Sequence, residues 1–477
     1  MKRNKKLGLL LLALVLVCAA AFAAVRLSPD EEAGEDTSFT LLALEAEDIT
    51  QLSWDYDGES LTFTYDADDG WSYPADSAFP LDSALLESMA ATLGDVTAYR
   101  TIEGVDDLSQ YGLDEPEVSV TVTTQDGDYT LAIGDETTMG GQRYASTGDG
   151  SVYLVDSSLL DSFSYGLYAF VAEEDIPAMN DLTAFTVESG NRDLNLVYLE
   201  DSGLAYSNHY VWFQQDGENY TTLDTELTES FIENITLLTW SQCVNYHADE
   251  EALAEYGLDE PAAVVTVDYV ETTQEDSGLT DEDGNPIYDT LETDYTFVLE
   301  IGNYDGEYCY ARIAGSDMVY YIDATVADAM VYLSLDSLLP DDILLLDSDT
   351  VESVDITLDG ETYHVERAVE ETTDEDGNTT QETIWTLDST EIDFQGVFSD
   401  LTSLTSSSSG SELTPERTAE ISFIFHRNTS DYQTVELTFY QYDSTSCLVS
   451  LNGETRLFVD REDIVSIVEE VNGLVLE

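Results

Sequence analysis

Basic residues are scarce in this chain. Its 477 residues include 14 Lys and Arg against 100 Asp and Glu, which gives a formal net charge of −86 at pH 7. Five of the basic residues precede residue 27, and no Lys follows Lys6. Nucleic acids and anionic lipid headgroups are bound through basic side chains, so the composition excludes a nucleic-acid-binding protein. The charge favours solubility outside the cell, and a cation-attracting surface is the alternative interpretation.

Cysteine is scarce as well. Of the 4 Cys, Cys18 lies in an apolar N-terminal run, which leaves Cys243, Cys309 and Cys447. An odd number at wide spacing does not predict a disulfide framework. We expect three buried, reduced thiols that act as small apolar residues, although one pair could still form a bridge in an oxidising compartment.

Residues with recognisable catalytic or metal-binding spacing are also missing. The 4 His are His209, His247, His364 and His426. None of them has metalloprotease spacing, and we find no nucleophile elbow, phosphate-binding loop or dinucleotide fingerprint. The sequence therefore predicts a protein that is not an enzyme, with no catalytic residue, cofactor or metal. Composition alone does not exclude a glycosidase that uses paired acids.

The N-terminus predicts a membrane segment in residues 1–26. Four basic residues precede a run of 19 residues without charge, from Leu7 to Val25. As a helix this run would span about 28 Å, close to the thickness of the hydrocarbon core. Basic residues on its N-terminal side place the rest of the chain outside the cytoplasm. We expect a retained single-pass anchor at the cell membrane, or a secreted protein if the segment is cleaved after Ala21-Phe22-Ala23.

An internal repeat follows. One hexapeptide occurs twice, as Tyr111-Gly112-Leu113-Asp114-Glu115-Pro116 and as Tyr256-Gly257-Leu258-Asp259-Glu260-Pro261. Each copy precedes a strand-like stretch, at residues 118–122 and 264–270, and later segments keep the same order. A fainter third copy lacks the hexapeptide, but its Cys447 matches Cys309. Repeats at long spacing indicate tandem copies of one structural unit.

The repeat predicts an α+β protein of three tandem divergent modules, each mostly antiparallel β-sheet with one or two packing helices. Their predicted bounds are 40–172, 177–337 and 341–477. Strand-like segments near Trp71, Trp212 and Trp385 each precede an amphipathic helix. The Trp residues could be ligand platforms, but their equal placement favours core packing. The helix faces are predicted from apolar spacing: Leu85, Met89 and Leu93; Leu227, Phe231 and Ile235; Phe394, Val397, Phe398 and Leu401.

The hexapeptide is interpreted as a structural motif. Gly112 and Gly257 suit the left-handed position that ends a short helix, and Leu113 and Leu258 would fold back on that helix. The following Pro would prevent further helix and extend the preceding Glu. The catalytic alternative would use the two carboxylates beside the turn.

Two acidic, Gly-containing segments at residues 281–285 and 374–378 resemble calcium loops. With Gly284 or Gly377 at the sixth position of an EF-hand loop, the first and twelfth positions would carry Leu or Thr, which offer no carboxylates. Hairpin turns are therefore the better interpretation.

The N-terminal anchor, the strand–Trp–helix opening and the hexapeptide together resemble the family called domain of unknown function 4340. The resemblance covers most of residues 40–340 and more weakly the rest. Members are often found beside ABC transporters of the gliding-motility type, which implies an accessory role outside the membrane with permease subunits as partners. We therefore expect a non-enzymatic extracytoplasmic scaffold or accessory subunit. A surface protein that binds cell wall or glycan, suggested by the Tyr-rich strands, is the alternative.

Overall fold

The computed structural model describes residues 38–190, 192–280, 285–373, 379–409, 413, 415 and 418–476. The predicted N-terminal anchor and the acidic segments at 281–284 and 374–378 lie outside these residues. Within them the chain forms three antiparallel sheets of nine strands each, with packing helices. The predicted fold class is confirmed.

The first sheet has the strand order β1-β5-β9-β8-β7-β6-β2-β3-β4. Its strands, in chain order, are β1 Phe39–Leu42, β2 Ile49–Tyr56, β3 Glu59–Asp66, β4 Gly70–Ser72, β5 Val96–Ile102, β6 Val118–Thr124, β7 Gly127–Glu136, β8 Gln142–Ser146 and β9 Val152–Asp156.

The second sheet has the order β13-β12-β11-β10-β15-β16-β17-β18-β14. Its strands are β10 Asp181–Ser189, β11 Arg192–Tyr198, β12 Trp212–Asp216, β13 Asn219–Thr222, β14 Gln242–Asn245, β15 Ala263–Thr280, β16 Pro286–Asp305, β17 Tyr308–Ile313 and β18 Val319–Asp323.

The third sheet has the order β22-β21-β20-β19-β24-β25-β26-β27-β23. Its strands are β19 Val351–Leu358, β20 Glu361–Thr373, β21 Thr379–Leu387, β22 Thr390–Ile392, β23 Ser408–Ser409, β24 Ala419–Arg427, β25 Thr434–Gln441, β26 Ser446–Leu451 and β27 Glu454–Asp460.

Eight strands occupy equivalent places in the three sheets. β2, β10 and β19 each lie at the centre, followed outward by two strands of a meander. A helix then leads to the opposite edge, and the chain returns through the central strands β6, β15 and β24. The ninth strand differs, because β1 borders β5 in the first sheet whereas β13 and β22 extend the other end of their sheets. Modules that share a strand order in this way are copies of one unit.

Strict alternation of apolar and polar residues explains why each sheet has one buried face. In β19, Val354, Ile356 and Leu358 are buried while the residues between them are not, and the buried Val351 lies beyond an irregularity in the register. Side chains of a strand point alternately to the two faces, so one face meets the helices and the other meets solvent. The helices are α1 Ala84–Leu93, α2 Ser158–Asp161, α3 Thr225–Thr236, α4 Glu250–Glu255, α5 Ala324–Val331, α6 Phe394–Ser403 and α7 Arg461–Leu476.

The predicted buried faces are confirmed for one helix and confirmed in part for two. α6 buries Phe394, Val397, Phe398 and Leu401, as the spacing predicts. α1 buries Met89 and Leu93 as predicted, with Leu86 in place of Leu85. α3 buries Ile235 as predicted, together with Thr228 and Ile232, whereas Phe231 is half-buried and Leu227 is exposed. The apolar stripe on each of these two helices is wider than the surface in contact with the sheet. The sheet therefore decides which side of the stripe is buried.

The chain forms two compact units. One extends to Glu174 and includes Gln242–Tyr246, and the other contains Asp175–Ser241 and the chain from His247 onward. The second and third sheets therefore belong mainly to a single unit. Among the residues that the structure describes, we find no helix with the length and apolarity to cross a membrane.

Candidate functional site

The hexapeptide forms a turn after a short helix in both modules that contain it. Gly112 follows a 3₁₀ helix at Leu108–Tyr111 and Gly257 follows α4, and their φ angles are 67° and 70°. Both are thus in the left-handed conformation expected at the end of a helix. Leu113 and Leu258 are buried, and their amides donate to the carbonyls of Leu108 and Leu253.

A glycine on the neighbouring strand allows each turn to approach closely. A Cβ added at Gly134 in β7 would lie 2.3 Å from the carbonyl oxygen of Tyr111. The same distance separates a Cβ at Gly302 in β16 from the carbonyl oxygen of Tyr256. A side chain at either position would clash with backbone, which moves less readily than a flexible side chain. Turn and strand glycine therefore form one packing unit.

The carboxylates of the hexapeptide do not enter this packing. Asp114, Glu115, Asp259 and Glu260 are all exposed. They lie beside the turn, as the catalytic alternative requires, but the buried residue of the motif is Leu. The geometry supports the structural interpretation of the hexapeptide.

The Tyr of each hexapeptide packs on another Tyr. The Tyr111 ring lies 4.8 Å from that of Tyr144 in β8, and the Tyr256 ring lies 4.6 Å from that of Tyr310 in β17. The two partners occupy equivalent strands of their sheets. The pairing joins a turn to a distant strand, and a contact of this kind leaves no local pattern in the sequence.

In the second module the aromatic contact extends into a row of four Tyr rings. The Tyr310 ring lies 5.0 Å from that of Tyr321, which lies 5.3 Å from that of Tyr308. The Tyr321 hydroxyl donates to the Asp305 carboxylate over 2.6 Å, and this bond raises the pKa of Tyr321. We call Tyr256, Tyr310, Tyr321 and Tyr308 the tyrosine row. Aromatic faces beside a carboxylate can stack on and hydrogen-bond to a polar ring such as a sugar.

A loop of the second module lies in the core of the third. The loop joins β11 to β12, and its Tyr206 and Tyr210 are buried in the cluster that contains Trp385 and Phe425. The buried guanidinium of Arg427 donates to the Tyr206 carbonyl over 2.6 Å. In addition, the Leu345 amide donates to the Tyr206 hydroxyl over 2.9 Å. The two modules are therefore fixed to one another by packing and by directed hydrogen bonds.

A cavity of about 510 Å³ adjoins this loop. Its lining includes Tyr210, Tyr220, Tyr432, Asp342 and Arg456. Several of the polar groups already have protein partners, since the Tyr432 hydroxyl donates to the Leu204 carbonyl and Arg456 to the Pro340 carbonyl. Burial and the neighbouring Asp224 and Asp341 raise the pKa of Asp342. Two polar side chains of the cavity are thus already bonded within the contact between the second and third modules. We call this contact, with the loop that carries Tyr206 and Tyr210 and the buried Arg427, the joint.

Each His residue lies beside an Asp on the surface. His364 and His426 both contact Asp355, at 2.6 and 2.8 Å. His209 lies 3.3 Å from Asp347, and His247 pairs with Asp317. Burial acts to raise the pKa of Asp355, but the bonds to His364 and His426 outweigh it and lower that pKa. In the described part of the chain, no group of three His, Cys, Asp or Glu side chains is arranged to hold a metal ion.

The three described Cys residues are buried and free. Burial raises the pKa of Cys243, Cys309 and Cys447 to about 12. A thiol with so high a pKa is a poor nucleophile. The prediction of reduced core thiols is confirmed for these residues, and the disulfide alternative is wrong.

Trp71, Trp212 and Trp385 lie in β4, β12 and β21, which are equivalent strands of the three sheets. Trp212 and Trp385 are 3% and 1% exposed, so core packing is confirmed for them. It is wrong for Trp71, which is only partly buried and lies beside Tyr65. β4 has three residues and forms an edge of its sheet, whereas β13 and β22 cover the other two strands.

Three sheets of one strand order, with a turn-and-glycine packing unit in two of them, define an α+β protein of tandem homologous modules. The chain belongs to the family described as Domain of unknown function (DUF4340), whose sequence profile matches residues 71–205 and 212–415 as two copies of the domain. The resemblance seen in the sequence is thus confirmed. A comparison with curated proteins finds no match.

Proposed function

We propose that this protein is a non-enzymatic scaffold or accessory subunit that works outside the cytoplasm, held at the cell membrane by its N-terminal segment. Its proposed partners are the permease subunits of an ABC export system of the gliding-motility type. The observation that carries the proposal is the joint between the second and third modules, together with membership of the family. A scaffold must hold surfaces at fixed positions, and a loop buried in a neighbouring core does so.

The joint is evidence that the second and third modules form one rigid body and are not joined by a flexible linker. Flexible linkers join modules through few contacts and leave their relative positions free. Here Tyr206 is buried in the core of the next module and is held through both its carbonyl and its hydroxyl. Separating the two modules would expose buried aromatic surface and would remove the shortest hydrogen bond of Arg427, to the Tyr206 carbonyl.

The test combines removal of the protein with recovery of its neighbours. Cells that lack the chain should lose assembly of the transporter or export by it, and the wild-type chain crosslinked in cells should bring a permease subunit with it. Unchanged export and assembly in the deletion strain would contradict the proposal. A variant in which Arg427→Met loosens the joint should weaken recovery, whereas Arg192→Met, whose guanidinium bonds within the second module, is the matched control.

The second candidate is a protein that binds cell wall or glycan. It is favoured by the tyrosine row with Asp305, since the first module has Gln142 and Leu154 at the places of Tyr308 and Tyr321 and keeps the pair Tyr111 and Tyr144 alone from the row. Wild-type protein should then sediment with purified wall polymers, and Tyr308→Ala with Tyr321→Ala should abolish this. Tyr144→Ala in the first module is the control. Absence of any binding to wall polymers would remove this candidate.

A further inference from the structure

The hairpin of β15 and β16 extends far beyond the sheet that it belongs to. β10 pairs with β15 only as far as Val270, and β17 pairs with β16 only from Leu299 onward. Beyond those points the two strands pair with each other alone, from Glu271 opposite Thr293 to Thr280 opposite Pro286. We call residues 271–280 and 285–296 the arm. The equivalent hairpin of the first module, β6 with β7, turns directly after Thr124.

The side of the sheet that is buried at Phe297 continues along the arm as an exposed face. Side chains alternate along a strand, so Tyr295, Thr293, Leu291, Asp289 and Ile287 of β16 follow Phe297 on this side, and three of these five are apolar. Leu279 lies opposite Ile287 on that same side. Leu279 is 64% exposed and Leu291 is 48% exposed, and Tyr295 and Ile287 are exposed too. Exposed apolar side chains in a row mark an interaction surface more often than isolated ones do.

The charge on the arm has one sign only. No basic residue occurs between His247 and Arg312, whereas Glu271, Glu275, Asp289, Glu292 and Asp294 all lie on the arm. Glu275 and Asp289 face one another across the two strands. Like charges directly opposite each other destabilise a strand pair, and a cationic partner would relieve this repulsion.

The outer edge of β16 provides a regular template for another strand. It is free of β17 between Pro286 and Phe297, where the ladder to β15 runs without interruption from Tyr288 onward. The outer edge of β15 is less suitable, because its register shifts between Asp276 and Leu279 and Gly278 adopts a φ of 73°. Free edges of this kind bind extended peptides through backbone hydrogen bonds.

We propose that the arm is a docking strand for an extended segment of a partner protein in which apolar residues alternate with Lys or Arg. The segment pairs with the edge of β16, its apolar side chains meet Ile287, Leu291 and Tyr295, and its basic side chains meet Glu292 and Asp294 on the other face. A second copy of this chain is a poor occupant, because pairing arm with arm would bring carboxylates against carboxylates. The inference rests on the proposed scaffold function and identifies the arm as one surface through which the scaffold binds a partner.

The binding test uses a defined probe and the full-length protein. A ten-residue peptide of alternating Val and Lys is compared with the same peptide N-methylated at every backbone amide, which keeps the side chains and their charge but has no amide left to donate in strand pairing. The unmodified peptide should bind at least tenfold more tightly. Equal affinities would show that the acidic surface attracts any cation and would overturn the proposal.

Two variants locate the site. In the first, an Asn-Gly turn replaces residues 272–292 and joins the paired residues Glu271 and Thr293, which reproduces the short hairpin of the first module. In the second, Glu292→Lys and Asp294→Lys reverse the charge on the face that the basic side chains meet, and the arm is otherwise intact. Both should reduce the preference for the unmodified peptide to less than threefold. An undiminished preference in the charge-reversed protein would overturn the proposal, as would a wild-type dimer that the short-hairpin variant does not form.

The final step separates this inference from the scaffold function. A photoreactive residue in place of Leu291 should crosslink in cells to a peptide containing Lys or Arg, and one in place of the exposed Met139 of the first module should not. If the short-hairpin variant retains export and permease recovery, the docking role of the arm is wrong while the scaffold function stands. If deletion of the whole chain leaves export unchanged, the scaffold function fails, whatever the peptide experiment shows.

Discussion

The first two modules differ from the third at one place in the sheet. Gly134 and Gly302 directly follow Ile133 and Ile301, which pair with the strands after each hexapeptide. The third module has no hexapeptide, and the residue at the equivalent place, after Phe439 in β25, is Tyr440. The strand glycine is thus present where the turn is present and replaced where the turn is missing. A backbone that approaches to 2.3 Å of a possible Cβ excludes every other residue.

The third module has a packing contact with the preceding module that the turn does not provide. Its core receives Tyr206 and Tyr210 from the loop of the preceding module. Loss of an internal packing unit is therefore accompanied by packing from a neighbour. The comparison predicts that substitutions at the turn act within one module, whereas substitutions at the joint act on two.

Exchanging the residues at the equivalent strand positions should have the largest effect. Gly302→Tyr gives the second module the residue of the third, and its side chain would collide with the Tyr256 carbonyl. We expect a loss of more than about 4 kcal/mol in the free energy of unfolding, beyond ordinary overpacking. Tyr440→Gly should cost only about 1–2 kcal/mol, since the side chain is partly buried and no turn packs there. Urea unfolding of both variants measures the difference.

Gly396→Ala provides the control for a glycine that makes no close approach. It lies within α6 and has no atom within 4 Å of an added Cβ, so the change should stabilise the protein by up to about 1 kcal/mol. Similar losses for Gly302→Tyr and Tyr440→Gly would show that the turn does not impose the strand glycine.

The Leu of the hexapeptide should follow in size of effect. Leu258 is 1% exposed and packs with Ala248 and Val319, whereas Leu113 is 7% exposed. Leu258→Ala should lower the free energy of unfolding by about 3 kcal/mol, within the usual range for a buried Leu. Leu113→Ala should cost somewhat less. If Leu227→Ala, at an exposed position of α3, is equally costly, the effect does not arise from burial in the turn.

Much of the fold could be predicted from local patterns. Alternating strands, helical spacing and the repeated hexapeptide indicate three β-rich modules, because these features depend on residues close in sequence. The same reasoning places Gly112 and Gly257 in the left-handed conformation. It also predicts that Cys309 and Cys447 are buried in equivalent strands.

What failed or was missed depends on contacts between distant segments. Leu85 of α1 and Leu227 of α3 were wrongly predicted to be buried, because the contact with the sheet, and not the helix sequence alone, decides which side of a wide apolar stripe packs. Trp71 was assigned to the core although its strand is short and at an edge. Neither the burial of Tyr206 in the next module nor the free edge of β16 leaves any sign in the local sequence.

Weakening the joint should lower the free energy of unfolding by less, but its effect should extend over two modules. Arg427→Met keeps the apolar length of the side chain but leaves the Tyr206 carbonyl without its donor. An unsatisfied buried acceptor costs about 1–3 kcal/mol, and we expect a loss of about 2 kcal/mol. Hydrogen exchange should rise in the loop of the second module as well as in β24. Increased exchange in β24 alone would mean that the joint does not couple the two modules.

The smallest effect concerns Asp342 beside the joint and depends on pH. Burial, with Asp224 and Asp341 nearby, raises the pKa of this carboxyl above its usual range. A raised pKa in the folded state stabilises the protein below the unfolded pKa, and this contribution is lost as the pH rises through the folded pKa. Asp342→Asn mimics the protonated form, so its urea midpoint should match that of the wild type near pH 3.5 and exceed it at pH 7. Asp106→Asn, at an exposed position of the first module, is the control for net charge, and an equal gain at pH 7 would show that the repulsion is general and not local to the joint.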